Sequence, residues 1–104
     1  MIHYTFKKEN GYVNEIKVKG HALFGDYGTD IVCASVSTAL IMTANAIETL
    51  GFKDSIQTKV KSGDFVLKVL RSNATIEGLL QNLIYTLNEL EAQYKSHIKN
   101  LKEE

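Results

Sequence analysis

Hydrophobic and polar residues alternate in two parts of the chain, and each part has a turn signal at its centre. Residues 2–7 place Ile, Tyr and Phe on one face and His, Thr and Lys on the other, which predicts a half-buried strand. Asn10-Gly11 follows, a pair that favours a tight hairpin because both residues adopt positive φ at low cost. Residues 12–19 alternate as the return strand, and residues 56–61 and 65–70 repeat the arrangement around another glycine-containing turn. The pattern therefore predicts two β-hairpins.

An apolar segment without alternation follows the first hairpin and indicates a helix. Asp30 is suited to cap its N-terminus, and Gly51 is suited to end it after about Leu50. Glu48 is the only charged residue between positions 31 and 50. Because a helix that is apolar on most faces is normally buried, we expect this helix in the middle of the domain.

A second helix is predicted from about Asn73 to about Leu101. Its apolar residues form a heptad-like stripe, which Leu79 and Ile84 widen. The stripe consists of Ile76, Leu80, Leu83, Leu87, Leu90 and Tyr94. At 1.5 Å per residue this helix would be about 40 Å long, which exceeds the width of a small domain. We therefore expect part of the stripe to pack on a second copy of the chain in a homodimer.

The predicted element order is ββαββα. The simplest layering for this order is an α+β fold, an antiparallel sheet with both helices packed on one face. The chain has 104 residues, which is within the usual size of one domain. Residues 1–104 are therefore predicted to form a single domain.

Charge and composition narrow the class of protein. Twelve basic and twelve acidic residues give a formal net charge of zero, so the sequence lacks the basic excess of a protein that binds nucleic acid directly. The longest uncharged run, residues 31–47, is too short and too polar to predict a membrane span. The first residues show no signal-peptide pattern. We expect a cytoplasmic protein with no direct contact to nucleic acid or membranes.

Residues that bind metals are sparse. A single cysteine excludes an internal disulfide and a thiolate zinc site. The three histidines are far apart in the sequence, without the close spacing of a metal-binding pair. The sequence therefore predicts no metal site and no cofactor.

Residues 20–29 form a loop with no hydrophobic period. It contains three glycines, Gly20, Gly25 and Gly28. Loops of this length in compact domains are often functional. Phe24 and Tyr27 stand between the glycines and are candidates, with them, to contact a substrate.

Cys33 and His21 are the candidate catalytic pair. Cys33 lies in the first turn of the predicted helix, where unpaired N–H groups and the helix dipole favour a thiolate. A loop that doubles back could place the imidazole of His21 beside the sulfur. Thiolate and imidazole together suffice for nucleophilic acyl transfer. The same two residues also fit a small core cysteine and a solvated loop histidine.

Asp30 and Ser37 are supporting candidates. Ser37 lies one helical turn after Cys33 on the same face. Asp30 could orient the catalytic pair or act only as the helix cap. If Asp30 caps the N–H of Val32 or Cys33, that N–H is not available to an oxyanion. Either Asp30 then moves when substrate binds, or other donors hold the oxyanion.

Three segments around these candidates resemble the signature of the ribosomal-processing cysteine protease family (Prp). They are Gly20-His21-Ala22, then Gly28-Thr29-Asp30-Ile31-Val32-Cys33-Ala34 after a short glycine-containing loop, and then Ser35-Val36-Ser37. The resemblance is specific from Gly20 to Ser37 and loose elsewhere.

The resemblance implies an α+β homodimer that removes the N-terminal extension from the precursor of a large-subunit ribosomal protein. It implies cleavage after an aromatic residue in a short hydrophobic motif. By position, Cys33 is then the nucleophile and His21 the base and acid, with Asp30 and Ser37 in support.

Two other functions fit the same residues. One is a different small cysteine hydrolase, such as an amidase, whose substrate would enter a deep pocket rather than an extended groove. The other is a non-catalytic, dimeric, ribosome-associated binding module that keeps its thiol for packing. Reaction with iodoacetamide at neutral pH separates the second function from a protease, because a packing thiol resists alkylation.

Overall fold

The computed structural model describes residues 1–26 and 28–101, and its elements follow the order ββαββαβ. The strands are β1 (Ile2–Glu9), β2 (Tyr12–Gly20), β3 (Ile56–Lys61), β4 (Asp64–Val69) and β5 (Ile98–Asn100), and the helices are α1 (Ile31–Ile47) and α2 (Ala74–Gln93). The predicted α+β class and both predicted hairpins are confirmed. In the first hairpin Asn10 and Gly11 both have positive φ, 54° and 83°, as the turn requires.

The five strands form one mixed sheet in the order β3-β4-β2-β1-β5. β2 pairs antiparallel with both β1 and β4, and β3 pairs antiparallel with β4. β5 runs parallel to β1, with Ile98 opposite Ile2. The prediction of an antiparallel sheet is therefore wrong at the β1 edge, where a parallel fifth strand is added.

α2 ends at Gln93, so the prediction of a helix to about Leu101 is also wrong. Ile98 lies in β5, not in a helix, and its side chain is fully buried in the hydrophobic core. The edge of β1 supplies hydrogen-bond partners, since the N–H of Ile2 donates to the carbonyl of His97 at 2.8 Å. A strand of three residues is too short to show an alternation in the sequence, and the neighbouring sheet edge decides its conformation.

The core lies between one face of the sheet and the two helices. Inward-facing residues of the strands meet apolar residues of both helices in a single cluster. The largest fully buried side chains are Tyr4, Ile16, Ile47, Leu67, Ile76, Leu80, Leu83, Leu87 and Ile98. The predicted layering, with both helices on one face of the sheet, agrees with this cluster.

α1 is uncharged, but only one side of it is buried. Its buried residues are Val32, Val36, Leu40 and Ile47. Ile41 and Met42 on its other side are 51% and 67% exposed. By length and composition alone, residues 31–55 could cross a membrane. The core contacts of α1 are instead those of a helix inside a globular domain.

The stripe of α2 is covered within one chain. Ile76, Leu80, Leu83 and Leu87 are each at most 1% exposed. Leu90 and Tyr94 are partly buried against the same core. α2 therefore does not offer these four side chains to a second copy, contrary to the reasoning from its predicted length.

Candidate active site

Asp30 caps α1 as predicted. One carboxylate oxygen, Oδ1, accepts hydrogen bonds from the N–H of Val32 at 2.9 Å and of Cys33 at 3.0 Å. The backbone of Asp30 is extended, with φ −77° and ψ 108°, which is the usual conformation of an N-cap. The cap fixes the first turn of α1 and with it the position of Cys33.

The second carboxylate oxygen of Asp30 holds the loop that precedes α1. Oδ2 accepts hydrogen bonds from the N–H of Phe24 at 2.8 Å and of Gly25 at 3.0 Å. Burial acts to raise the pKa of Asp30, but the four backbone donors, with that of Cys33 the strongest, outweigh it and hold the pKa below its ordinary value. One ionised side chain thus ties the loop to the helix.

Cys33 is half-buried at the start of α1. The N–H of Ala22 lies 3.3 Å from its sulfur, in position to donate a hydrogen bond. An N–H donor at this distance stabilises the negative charge of a thiolate more than that of a neutral thiol. The residue that follows His21 therefore contacts the sulfur directly through its backbone.

His21 lies against the turn between β3 and β4. A Cβ added at Gly63 would lie 2.7 Å from Nε2 of His21. The N–H of Gly20 donates to the carbonyl of Gly63 at 2.8 Å, which joins the end of β2 to this turn. The close approach between the His21 ring and the turn thus depends on a residue without a side chain.

The two candidates open into a cleft of about 620 Å³. α1, the loop after β2 and the β3–β4 turn form its walls. Seven of the predicted residues line it: Gly20, His21, Gly25, Gly28, Asp30, Cys33 and Ser37. Leu40, Ile41, Val60 and Phe65 add apolar surface to the lining. The fold therefore brings residues that are far apart in sequence to one partly apolar cleft.

Phe24 and Tyr27 are the remaining predicted substrate contacts. Tyr27 lies outside the described residues. Phe24 points towards the end of α2, where its ring makes edge-on contacts with Tyr94, at 5.5 Å between ring centres, and with His97, at 5.2 Å. In this structure Phe24 anchors the loop instead of facing the cleft.

His97 is a neighbour of the site that no pattern in the sequence predicted. Its Nδ1 lies 2.8 Å from the carbonyl oxygen of Ala22. The residue lies 76 positions after His21, beyond the end of α2, and only the fold brings it near. The β3–β4 turn at Gly63 was likewise predicted only as a turn.

Hydrogen bonds at the start of α1 limit where an oxyanion can bind. Asp30 occupies the N–H groups of Val32 and Cys33 with its side chain, and its carbonyl accepts from the N–H of Ala34 at 3.0 Å. The N–H of Ala22 is the donor that the described structure places at the sulfur.

Within residues 1–26 and 28–101, no three His, Cys, Asp or Glu residues are grouped so as to hold a metal ion.

The chain is similar in sequence to known cysteine proteases. The sequence matches the family described as Cysteine protease Prp over residues 1–99. The ribosomal processing cysteine protease Prp of Staphylococcus aureus is 32% identical over 93 residues, which cover 88% of each chain. The Prp of Bacillus subtilis is 26% identical over 106 residues, which cover 95% of each chain.

Solved structures show the same fold with peptides bound. The S. aureus Prp in complex with a covalently linked product peptide superimposes with a TM-score of 0.86, at 28% identity over 99% of this chain and 100% of that chain. The S. aureus Prp in complex with a substrate peptide gives a TM-score of 0.80 at the same identity and coverage. This chain is a cysteine protease that belongs to the ribosomal processing protease family Prp.

Proposed function

We propose that this protease removes the N-terminal extension from the precursor of a large-subunit ribosomal protein, with Cys33 as nucleophile and His21 as acid and base. One observation carries the residue assignment: the single cysteine of the sequence lines the same cleft as His21, at the capped start of α1. The names of the S. aureus and B. subtilis relatives support ribosomal processing as the biological role.

The reaction begins when the thiolate of Cys33 attacks the carbonyl carbon of the scissile peptide bond. The C–N bond then breaks, and the imidazolium of His21 gives its proton to the leaving amine. The product at this stage is a thioester between Cys33 and the new C-terminus of the extension. Neutral His21 next removes a proton from water, the hydroxide displaces the thiolate, and the carboxylic acid leaves.

Supporting roles follow from the contacts around the pair. Asp30 holds the loop and the first helical turn together. Because His21 lies on that loop and Cys33 in that turn, Asp30 positions both catalytic residues through the backbone hydrogen bonds of its carboxylate. Ser37 is exposed in the cleft one turn after Cys33, where its hydroxyl can bond to the backbone of a bound peptide. Gly25 and Gly28 keep side chains out of the cleft wall.

The cleft suits an extended hydrophobic peptide better than a small amide. Its lining runs from α1 across to the β3–β4 turn and includes Leu40, Ile41, Val60 and Phe65. Apolar side chains of a peptide lose contact with water in such a groove, which supplies binding free energy. The peptide complexes of the S. aureus relative support the same choice over an amidase pocket.

The experiment is to incubate the protein with the ribosomal protein precursor of the same organism and to measure intact masses. The parent should release the N-terminal extension. Cys33→Ala should abolish release while it keeps the fold, because alanine is small and favours the helix. His21→Ala should be nearly as inactive, since members of a catalytic pair act as one unit.

Ser35→Ala is the matched control on the same helix. Its hydroxyl donates to the carbonyl of Ile31 at 2.7 Å, and among the described residues it is not part of the cleft lining. It should cleave at the rate of the parent. Release of the extension by well-folded Cys33→Ala would eliminate the assignment.

We further propose that the protein is a cytoplasmic homodimer that uses the exposed side of α1. No charged residue interrupts this helix, and Ile31 and Met42, which do not line the cleft, are 54% and 67% exposed. Such a surface gains stability when a second copy covers it. Light scattering should give the dimer mass, and Met42→Glu should shift it towards the monomer. A monomer mass for the parent at micromolar concentration would contradict the dimer.

A further inference from the structure

The zero net charge of the sequence conceals a strong separation of charge in the fold. The strand registers place seven lysines on the sheet face opposite the helices, and we name this surface the lysine face. Its lysines are Lys7, Lys17, Lys19, Lys59, Lys61, Lys68 and Lys99. The same face carries three acidic residues, Glu9, Glu15 and Asp64, so its net charge is +4. α1 and α2, on the opposite face, contain no basic residue, and α2 carries three glutamates.

The lysine face is open to solvent. Six of its lysines are exposed, and Lys17 is half-buried. Lys7 and Lys17 both approach Oε1 of Glu15, at 3.8 Å and 3.5 Å. Side chains two positions apart on a strand are about 7 Å apart, and neighbouring strands are about 5 Å apart. A rigid sheet thus presents several cationic groups at spacings that a phosphate backbone can meet.

We propose that the lysine face binds the phosphate backbone of RNA without reading its sequence. A face of net charge +4 is complementary to a polyanion, and it repels a second copy of itself. Two aromatic side chains lie on the face, His3 and Tyr12, at opposite ends of the first hairpin and about 20 Å apart, too far apart to stack neighbouring bases. Phosphate contacts are therefore its means of recognition, as in shape-dependent binding to double-stranded RNA.

The lysine face adjoins the cleft, so RNA bound to the face would lie close to a peptide bound in the cleft. Lys61 belongs to the lysine face and also lines the cleft, so the two surfaces meet at the β3–β4 turn. The choice of RNA over other polyanions rests on the proposed function, because a ribosomal protein precursor is found next to ribosomal RNA. The binding itself can be measured without any cleavage.

The test is fluorescence anisotropy with a labelled 20-base-pair RNA duplex at several salt concentrations. The parent should bind, and the plot of log affinity against log salt should have a slope of about −4, as expected for roughly five phosphate contacts. The triple variant Lys17→Gln, Lys59→Gln, Lys68→Gln should lower affinity at least tenfold and reduce the slope by about 2 to 3. None of the three substituted residues lines the cleft.

The control is the triple variant Lys8→Gln, Lys53→Gln, Lys95→Gln, which removes the same charge from exposed lysines outside the lysine face. It should bind RNA nearly as well as the parent. Absence of RNA binding by the parent at low salt would overturn the proposal. Equal losses in the two triple variants would overturn it too, as would binding to vesicles with anionic lipid headgroups but not to the duplex.

A separate set of contacts points to a positioning residue for the catalytic cysteine. Nδ1 of His97 lies 2.8 Å from the carbonyl oxygen of Ala22, and that oxygen can only accept. Nδ1 must therefore carry a proton and donate it. The N–H of the same residue, Ala22, points at the sulfur of Cys33. Ala22 thus spans the distance between His97 and the nucleophile.

The backbone at this point needs to be held. Leu23, the next residue, has φ 56°, which is unfavourable for a residue with a side chain. His97 is itself fixed, because its N–H donates to Tyr94 at 2.8 Å and its carbonyl accepts from Ile2 at 2.8 Å. Its ring also packs against Phe24. A rigid donor therefore restrains a strained loop that carries both His21 and the Ala22 N–H.

We infer that His97 positions the Ala22 peptide, so that its N–H faces the sulfur and His21 faces the cleft. This inference rests on the proposed role of Cys33. His97→Leu removes the donor and should lower kcat about 10-fold to 100-fold, the size of effect expected from misplacing a reacting group, with little change in KM. Alkylation of Cys33 by iodoacetamide should slow as well.

His97→Asn should restore most of both rates, because the asparagine amide can place an N–H where Nδ1 was. Tyr94→Phe, which keeps the ring against Phe24, is the control and should match the parent. A His97→Leu protein with the kcat and alkylation rate of the parent would overturn the inference, and so would failure of the asparagine to rescue. A ¹⁵N spectrum of the parent with unprotonated Nδ1 at His97 would overturn it without any variant. Alkylation needs no substrate, so its result is independent of the choice of precursor.

Discussion

At the scale of single residues, the site depends on a glycine in a turn as well as on its reactive groups. His21 and Gly63 come from different hairpins, and the imidazole lies where a side chain at Gly63 would have to be. From the sequence, Gly63 is predicted only as part of a hairpin turn. Its second role follows from the register that brings the β3–β4 turn to the end of β2.

Gly63→Ala should therefore displace His21. The new Cβ would lie 2.7 Å from Nε2, so the ring must move, and kcat should fall about 10-fold to 100-fold. Gly11→Ala is the matched control: Gly11 also has positive φ in a hairpin turn, but a Cβ there meets nothing within 4 Å. Both variants should lose about 1 kcal/mol of stability to strain, measured by denaturant unfolding. Equal activity in the two variants would show that His21 does not depend on Gly63.

At the scale of elements, Asp30 joins α1 to the loop before it. The sequence predicted the cap from residue type and position, and the cap is confirmed. It did not predict that the second oxygen would hold Phe24 and Gly25, because this requires the loop to fold back over the helix start. The loop before α1 and the helical turn that carries Cys33 thus share one side chain.

Asp30→Ser should separate the two functions of this side chain. Serine is also a good N-cap, so the amides of Val32 and Cys33 should stay protected from hydrogen exchange. Serine has only one oxygen, so the amides of Phe24 and Gly25 should exchange faster by tenfold or more. Precursor cleavage should slow because the loop that carries His21 is loosened. Unchanged exchange at Phe24 and Gly25 would mean that other contacts hold the loop.

The same carboxylate predicts how stability depends on pH. Backbone donors hold the pKa of Asp30 below its ordinary value despite burial, so the folded state favours the ionised form. The stabilising contribution is complete above the unfolded pKa of about 4 and is lost as pH falls through the lower folded pKa. The difference in unfolding free energy between the parent and Asp30→Ser should therefore shrink between pH 5 and pH 2. A difference that stays constant down to pH 2 would contradict this assignment.

At the scale of the whole molecule, the C-terminal segment adds the edge strand of the sheet and reaches the candidate site. β5 pairs with β1 and buries Ile98, and the residue before it contacts the loop that carries His21. The lysine face and the helical layer divide the charges between the two sides of the sheet. These relations depend on the packing of elements that are far apart along the chain.

Ile98→Ala should lower the free energy of unfolding by about 2–4 kcal/mol, because it leaves a cavity at a fully buried position. Lys99→Ala, on the exposed side of the same strand, should change stability by less than about 0.5 kcal/mol. Denaturant unfolding followed by circular dichroism measures both. A small effect of Ile98→Ala would indicate that β5 is not part of the cooperative core.

The sequence by itself determined both hairpins, both helix starts and the residues of the candidate pair. Each of these depends on neighbours along the chain: alternation, Asn10-Gly11, the Asp30 cap and the segment from Gly20 to Ser37. Only the tertiary structure decided the end of α2. The residues after Gln93 have a local pattern that still suits a helix, but Ile98–Asn100 pair with the edge of β1 instead. The tertiary structure also decided the contacts of Gly63 and His97 with the site, and it brought the outward-facing lysines of separate strands together on one face. All three follow from strand pairing and packing, which join residues many positions apart in the sequence.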